Sequence, residues 1–321
     1  MTRVRESMCC FAKPKLSKQT VCAWMLGLSV DKNMIHAAIL SDGGDVVSDY
    51  QTPTPADSYR DCLLAVSKAV TALETKAPSH RPTGIALPGV MLDNIMQNAP
   101  LGWLNGKAIK QDLQASLGRE VVIGGYGACF TLYEALHGAG RDAETVFGMH
   151  IDANCTGGFV AGGRSLAGAN GIAGNWAHLP LPAPVPYELD GHDCWCGRTG
   201  CMETFVSAEG VEQDYFKITE NRTSAAAIAS AAANSDIVAE STLQVLEDRL
   251  GRATSALITM VDPEVIVIGG MVGAMERIYR TVPRKWPGYV TARNPVTRLV
   301  PAQCGVKAAA AGAALLAQTQ G

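Results

Sequence analysis

Three cysteines stand within eight residues in the run Cys194-Trp195-Cys196-Gly197-Arg198-Thr199-Gly200-Cys201. Three soft thiolates on a loop whose glycines let the chain turn back on itself suit a tetrahedral metal, zinc above all. A fourth nitrogen or sulfur ligand is then required. His178, which follows the turn-rich Ala173-Gly174-Asn175-Trp176-Ala177, and His192, two residues before Cys194, are both candidates. Four protein ligands leave no open coordination position, so such a metal is structural rather than catalytic. The alternative is three unrelated thiols, a spacing that chance rarely produces. The other seven of the ten cysteines are scattered, apart from the pair Cys9–Cys10. With no secretion signal they suggest no disulfide framework, and a reducing cytoplasm is the expected compartment.

The elements that must position this loop are legible in the surrounding pattern. Strand-like runs at Ala23–Val30, Met34–Leu40 and Asp45–Tyr50, separated by Asp/Lys/Asn and Asp-Gly-Gly turns, predict an antiparallel meander. A helix capped at Asp57 or Ser58 follows, with Leu63, Val66, Val70 and Leu73 at helical spacing. Thr83–Leu87 and Val121–Ile123 read as strands, and Asp112–Leu117 and Ala128–His137 as helices. After a connection at Gly138–Glu144 the theme repeats. Val146–Ile151 and Gly158–Ala161 form a hairpin, Ile237–Val261 a long helix ending at Asp262-Pro263, Val265–Ile268 a strand and Lys307–Gln318 a last helix. Two βββαβα-like halves predict an α/β protein with a ligand cleft between them. The expected division is a flexible tail over 1–20, an N-terminal domain over 21–137 and a C-terminal domain with the metal loop over 138–306. The helix within 307–321 is expected to pack back onto the first domain.

Composition agrees with a globular chain. Of 321 residues, 47% are hydrophobic and 18% charged, and the net charge is −3. That balance gives no pull toward nucleic acid or an anionic membrane surface. The apolar run Val21–Val30 is too short for about 30 Å of hydrocarbon and lacks a cleavage site.

The motifs together resemble the ROK family (repressors, open reading frames and kinases), with the fructokinase or mannokinase type as the nearest flavour. The resemblance rests on Ala173-Gly174-Asn175-Trp176-Ala177-His178, the cysteine run with Glu203 and Ser207 beyond it, Pro88-Gly89, Asn98-Ala99, Trp103-Leu104-Asn105-Gly106 and Asp262-Pro263-Glu264 leading to Gly269-Gly270. It spans about Met25 to Leu316. It implies the actin-like (ribonuclease H-like) two-domain sugar-kinase fold, zinc on His178, Cys194, Cys196 and Cys201 with His192 a bystander, ATP and Mg²⁺ as co-substrates, and a homodimer.

A sugar kinase needs a carboxylate base, glycine-rich turns for the phosphates, and polar groups for the sugar. The family's Asn-Asp pair, which carries the base, corresponds to Gly125-Tyr126. A phenol of pKa near 10 is a poor base, and losing general-base help costs roughly 100- to 10,000-fold in rate. The first phosphate loop, Asp-x-Gly-Gly-Thr in the family, corresponds to Ser29-Val30-Asp31-Lys32-Asn33. The second, Gly-Thr-Gly, corresponds to Asp152-Ala153-Asn154, with Gly157 and Gly158 surviving beyond it. Both loops thus place a carboxylate where a phosphate should approach; Lys32 could offset part of that charge, and the two acids could instead recruit Mg²⁺. For the sugar, the resemblance offers Asn98, Asn175 in place of a Glu, His178 and Glu203, the last also readable as a helix-start carboxylate. Gly269 and Gly270 mark the adenosine end.

The leading expectation is a kinase-derived protein, catalytically impaired or repurposed to bind or regulate, whose ligand is a small molecule such as a sugar. The rival is an active ATP-dependent hexose kinase with an atypical base. A repressor is disfavoured, because about 22 residues before the first strand are too few for a helix-turn-helix domain.

Overall fold

The computed structural model describes residues 24–76 and 82–320. The tail expected over 1–20, and Val21–Ala23 of the first apolar run, lie outside the described residues.

The first sheet is built from β1 (Met25–Val30), β2 (Met34–Leu40) and β3 (Val46–Pro53), an antiparallel meander, and then, beyond α1 (Tyr59–Glu74), from β4 (Thr83–Leu87). Ser58 caps α1, its hydroxyl accepting from the Asp61 amide. A small hairpin, β5 (Val90–Leu92) and β6 (Ile95–Gln97), and α2 (Ile109–Leu117) precede β7 (Val121–Gly125) and α3 (Tyr126–His137). The strand order is β3-β2-β1-β4-β7, with β1, β4 and β7 parallel.

The second half repeats this plan. The meander β8 (Thr145–Ile151), β9 (Cys155–Ala161) and β10 (Arg164–Ser165) is followed by the cysteine loop and by α4 (Glu203–Val206), α5 (Ala208–Thr219), α6 (Ala225–Ala233) and α7 (Ile237–Val261). Then come β11 (Val265–Gly269), the short α8 (Gly270–Gly273) and α9 (Ile278–Thr281), β12 (Arg298–Pro301) and α10 (Ala308–Gln320). The order β10-β9-β8-β11-β12 matches the first sheet strand for strand. Met34–Leu40, Thr83–Leu87 and Ile237–Val261 have the bounds the sequence predicts. The hairpin strands β5 and β6, the edge strands β10 and β12 and the helices α4, α5, α6, α8 and α9 are additions to it.

The last helix of each half crosses to the other. Helix α3 lies on β8 and β9, α10 lies on β1, β2 and β4, and the two helices pack against one another. Small residues permit this seam. A Cβ on Gly84 would come 1.8 Å from the Ala313 carbonyl oxygen, and one on Gly312 1.8 Å from that of Cys129. Helix α10 answers with Ala308–Ala311, Ala313 and Ala314, all buried. The parallel strands β1, β4, β7 and β8 all end at the same crevice, the position where open α/β sheets hold ligands.

Candidate functional site

A cavity of about 550 Å³ occupies that crevice. The turn after β1 contributes Asp31, Lys32 and Asn33, the β7–α3 junction Gly125 and Tyr126, the β8–β9 turn Asp152 and Asn154, and β9 Gly157. Asn98, Asn175 and His178 line its other end. The structure thus gathers most of the candidate site residues from distant parts of the chain. The thiols Cys194, Cys196 and Cys201 lie behind the cavity, and Glu203, Gly269 and Gly270 do not line it.

The two loops that the resemblance assigns to phosphates use their own amides. The Asp31 carboxylate accepts from the Asn33 and Met34 amides at 2.7 and 2.8 Å. Asp152 Oδ1 accepts from the Ala153 amide at 3.0 Å. Each loop therefore holds a carboxylate where backbone N–H groups would otherwise be free for an anion. Lys32 pairs with a carboxylate outside the two loops. Its Nζ lies 3.0 Å from Glu209 at the start of α5, and both side chains are exposed.

Tyr126 opens α3 at the wall of the cavity. It is buried, and burial, with Asp31 and Asp152 adding to it, pushes its phenol far above the ordinary value. His150 on β8 packs edge-on against Tyr126 at 5.2 Å and Phe130 at 5.4 Å. Burial lowers the His150 pKa, and Asp152 and Asp31 oppose that. His36 on β2, also on the cavity wall, is lowered chiefly by burial. Sequence reasoning missed both histidines. Their signal was present: each points into the crevice from a strand whose neighbours are apolar.

At the opposite end, ligand atoms of His178, Cys194, Cys196 and Cys201 lie within 4.8 Å of one another. Cys194 Sγ is 3.5 Å from His178 Nδ1, and Cys196 Sγ is 3.6 Å from Cys201 Sγ. A tetrahedron with metal–sulfur bonds of 2.3 Å has sulfur–sulfur edges of about 3.8 Å, whereas a disulfide needs about 2.05 Å. The donor set and its spacing fit a tetrahedral metal. His192 is outside the cluster, its Nε2 3.1 Å from Lys217 Nζ.

Trp195, between the first two thiols, reaches into the cavity and packs edge-on against His178 at 4.8 Å. Its indole N–H donates to Glu203, which also accepts from the Cys155 amide at 2.7 Å. Burial pushes the Glu203 carboxyl up while these bonds and one from Asn154 hold it down. The candidate ligand residue Glu203 is therefore a buried carboxylate at the start of α4, tied to the β8–β9 turn and screened from the cavity by Trp195. Gly269 meets Phe130 and His150, and Gly270, with φ +79°, packs against Ile151. Both serve the close β11–α8 turn.

A family model described as "ROK family" matches residues 25–320. An N-acetylgalactosamine kinase of Shewanella sp. (strain ANA-3) is 29% identical over 293 residues, covering 90% of this chain and 95% of the relative. A ROK hexokinase from Thermus thermophilus superposes with a TM-score of 0.79 at 26% identity, covering 92% of this chain and 98% of that one. A ROK family glucokinase from Streptomyces griseus, solved with glucose and AMPPNP, gives a TM-score of 0.81 at 22% identity, covering 92% and 100%. The fold is the actin-like ATPase fold of these kinases. The sugars in these names are N-acetylgalactosamine, hexoses and glucose, where the motifs suggested fructose or mannose.

Proposed function

The chain belongs to the ROK family, and from that premise we propose that it binds a sugar-like small molecule in its cleft without efficient transfer of phosphate from ATP. One observation carries this reading. Tyr126 stands on the cavity wall where the resemblance places the base, and its phenol is pushed up rather than down. A group that holds its proton so tightly cannot take one from a sugar hydroxyl near neutral pH. The carboxylates of Asp31 and Asp152 add to this by occupying the loop amides.

The same premise supports zinc on His178, Cys194, Cys196 and Cys201. Such an ion would fix the loop that carries Trp195 and sets Asn175 and His178 against the cavity. It would stay out of the chemistry, since four protein ligands fill its sphere.

A second reading has its own observation. The lowered pKa of His150 leaves its imidazole neutral near pH 7 in the same wall, and a neutral imidazole can serve as a base. An active hexose or N-acetylhexosamine kinase would use it in place of the missing carboxylate. Steady-state assay with Mg-ATP against fructose, mannose, glucose and the N-acetylhexosamines separates the two. Turnover below about 1 s⁻¹, the low end for working enzymes, is the expected result. Turnover above that with any of these sugars, abolished in His150→Gln, would establish the second reading.

A further inference from the structure

The polar groups of the cavity are uneven in charge. Among the described residues lining it, Asp31 and Asp152 are the carboxylates and Lys32 is the lysine, already 3.0 Å from Glu209. The carboxylates reach the crevice from different sheets, on the turns after β1 and β8. The fields of both reach the rings of Tyr126 and His150.

Two polar side chains in this wall are largely buried yet border the cavity. Tyr126 is 7% exposed and His36 8%, both line the cavity, and neither makes a hydrogen bond among the described residues. The first turn of α3 adds free donors, because its N-cap, Gly125, has no side chain to accept from them. The site thus combines two anions, two aromatic rings, two polar side chains without a protein hydrogen-bond partner and a helix start.

We propose that this end of the cavity binds a small polyhydroxylated amine, its protonated nitrogen between Asp31 and Asp152 against the rings of Tyr126 and His150. The hydroxyls of the ligand meet the Tyr126 phenol, the His36 imidazole and the free amides of α3. An ammonium matches the anions and the π faces together. Hydrated Mg²⁺ also sits on one or two carboxylates, so MgCl₂ is the competitor in the test below. Among the described residues, the one gathering of three or more ligating side chains is the His178 cluster. The proposal rests on the reading that the cleft no longer serves phosphate transfer, since a triphosphate would face the same two carboxylates.

Calorimetry on the full chain tests it, with D-glucosamine and D-galactosamine against their N-acetyl forms, which keep the hydroxyls and lose the charge. At about pH 6, where an amine is protonated, the free amine should bind at least about tenfold more tightly than its N-acetyl partner. In the double variant Asp31→Asn, Asp152→Asn that preference should vanish while affinity for the N-acetyl form persists. Asparagine keeps an oxygen for the Asn33 and Met34 amides, so the turn is retained. Equal affinity for the two forms, undetectable binding of either amine, or displacement of the amine by MgCl₂ alone would overturn the proposal. These outcomes are distinct from failure of the underlying reading, which appears as Mg-ATP turnover in the separate assay.

Discussion

Glu188 is the keystone of the loop that leads into the cysteine run, and its replacement by glutamine can be worked through in numbers. Its carboxylate is fully buried and accepts from Arg249 Nε at 2.8 Å and from two nitrogens of Arg252 at 2.9 Å. Arg252 also donates to the Pro182 and Ala183 carbonyls, and Arg249 pairs with Asp214. The cluster thereby ties residues 182–188 to the middle of α7. Burial pushes the Glu188 carboxyl up, but the bonds from Arg252 and Arg249 outweigh it and hold the group at about 2 against an ordinary 4.5. At ~1.4 kcal/mol per pH unit this gap amounts to about 3 kcal/mol. Because the folded value is depressed, that stability is present above about pH 4.5 and is lost as the pH falls toward 2. Glu188→Gln should therefore cost about 3 kcal/mol at neutral pH, in line with the 3–5 kcal/mol typical of breaking a buried pair. The difference from the wild type should shrink by about half near pH 3. Denaturant titrations of both proteins at pH 7 and near pH 3 read this out. A variant within about 1 kcal/mol of the wild type at pH 7 would refute the reasoning, as would a difference that stays constant on acidification.

Other outcomes follow from the site. Protein purified without added metal should carry about one zinc per chain. Cys196→Ser should lower stability by several kcal/mol, because structural zinc binding is coupled to folding; a stable, metal-free wild type would contradict this. Mg-ATP should bind no more tightly than adenosine and more weakly than about millimolar, whereas the double variant Asp31→Gly, Asp152→Gly should gain more for ATP than for adenosine. Micromolar, Mg-dependent binding of ATP by the wild type would mean that the two acids serve a metal. Tyr126→Asp alone should restore no turnover, since both loops keep their carboxylates; recovery of kinase activity would show that the base alone was missing.

Much of this molecule is legible in its residues because local chemistry and global position agree. Thr83–Leu87 is a wholly buried run stopped by Pro88-Gly89, and Ile237–Val261 begins at the Asp236 cap and stops before Pro263. The cysteine loop is legible because its ligands are close in sequence. The β5–β6 hairpin is less so: three-residue strands carry too little alternation. Its one local signal is Asp93-Asn94, whose positive φ values of 50° and 64° suit a tight hairpin turn. Partners far apart in sequence are not legible. Nothing near Glu203 announces that Trp195 and Cys155 will claim its oxygens, nor anything near Lys32 that Glu209 will meet it. His150 takes its meaning from Tyr126, which the chain brings to it from the other half.

The crossed helices α3 and α10 bear on how the molecule can come apart. Each half leaves its own final helix on the neighbour, so one face of each sheet is covered by a helix encoded in the other half. A chain severed within Gly138–Glu144 would yield two fragments that each expose a sheet face and carry an orphan helix. They should be insoluble when produced separately and should reconstitute when produced together. The two halves must then melt as a single cooperative unit, although each has the layout of an independent fold.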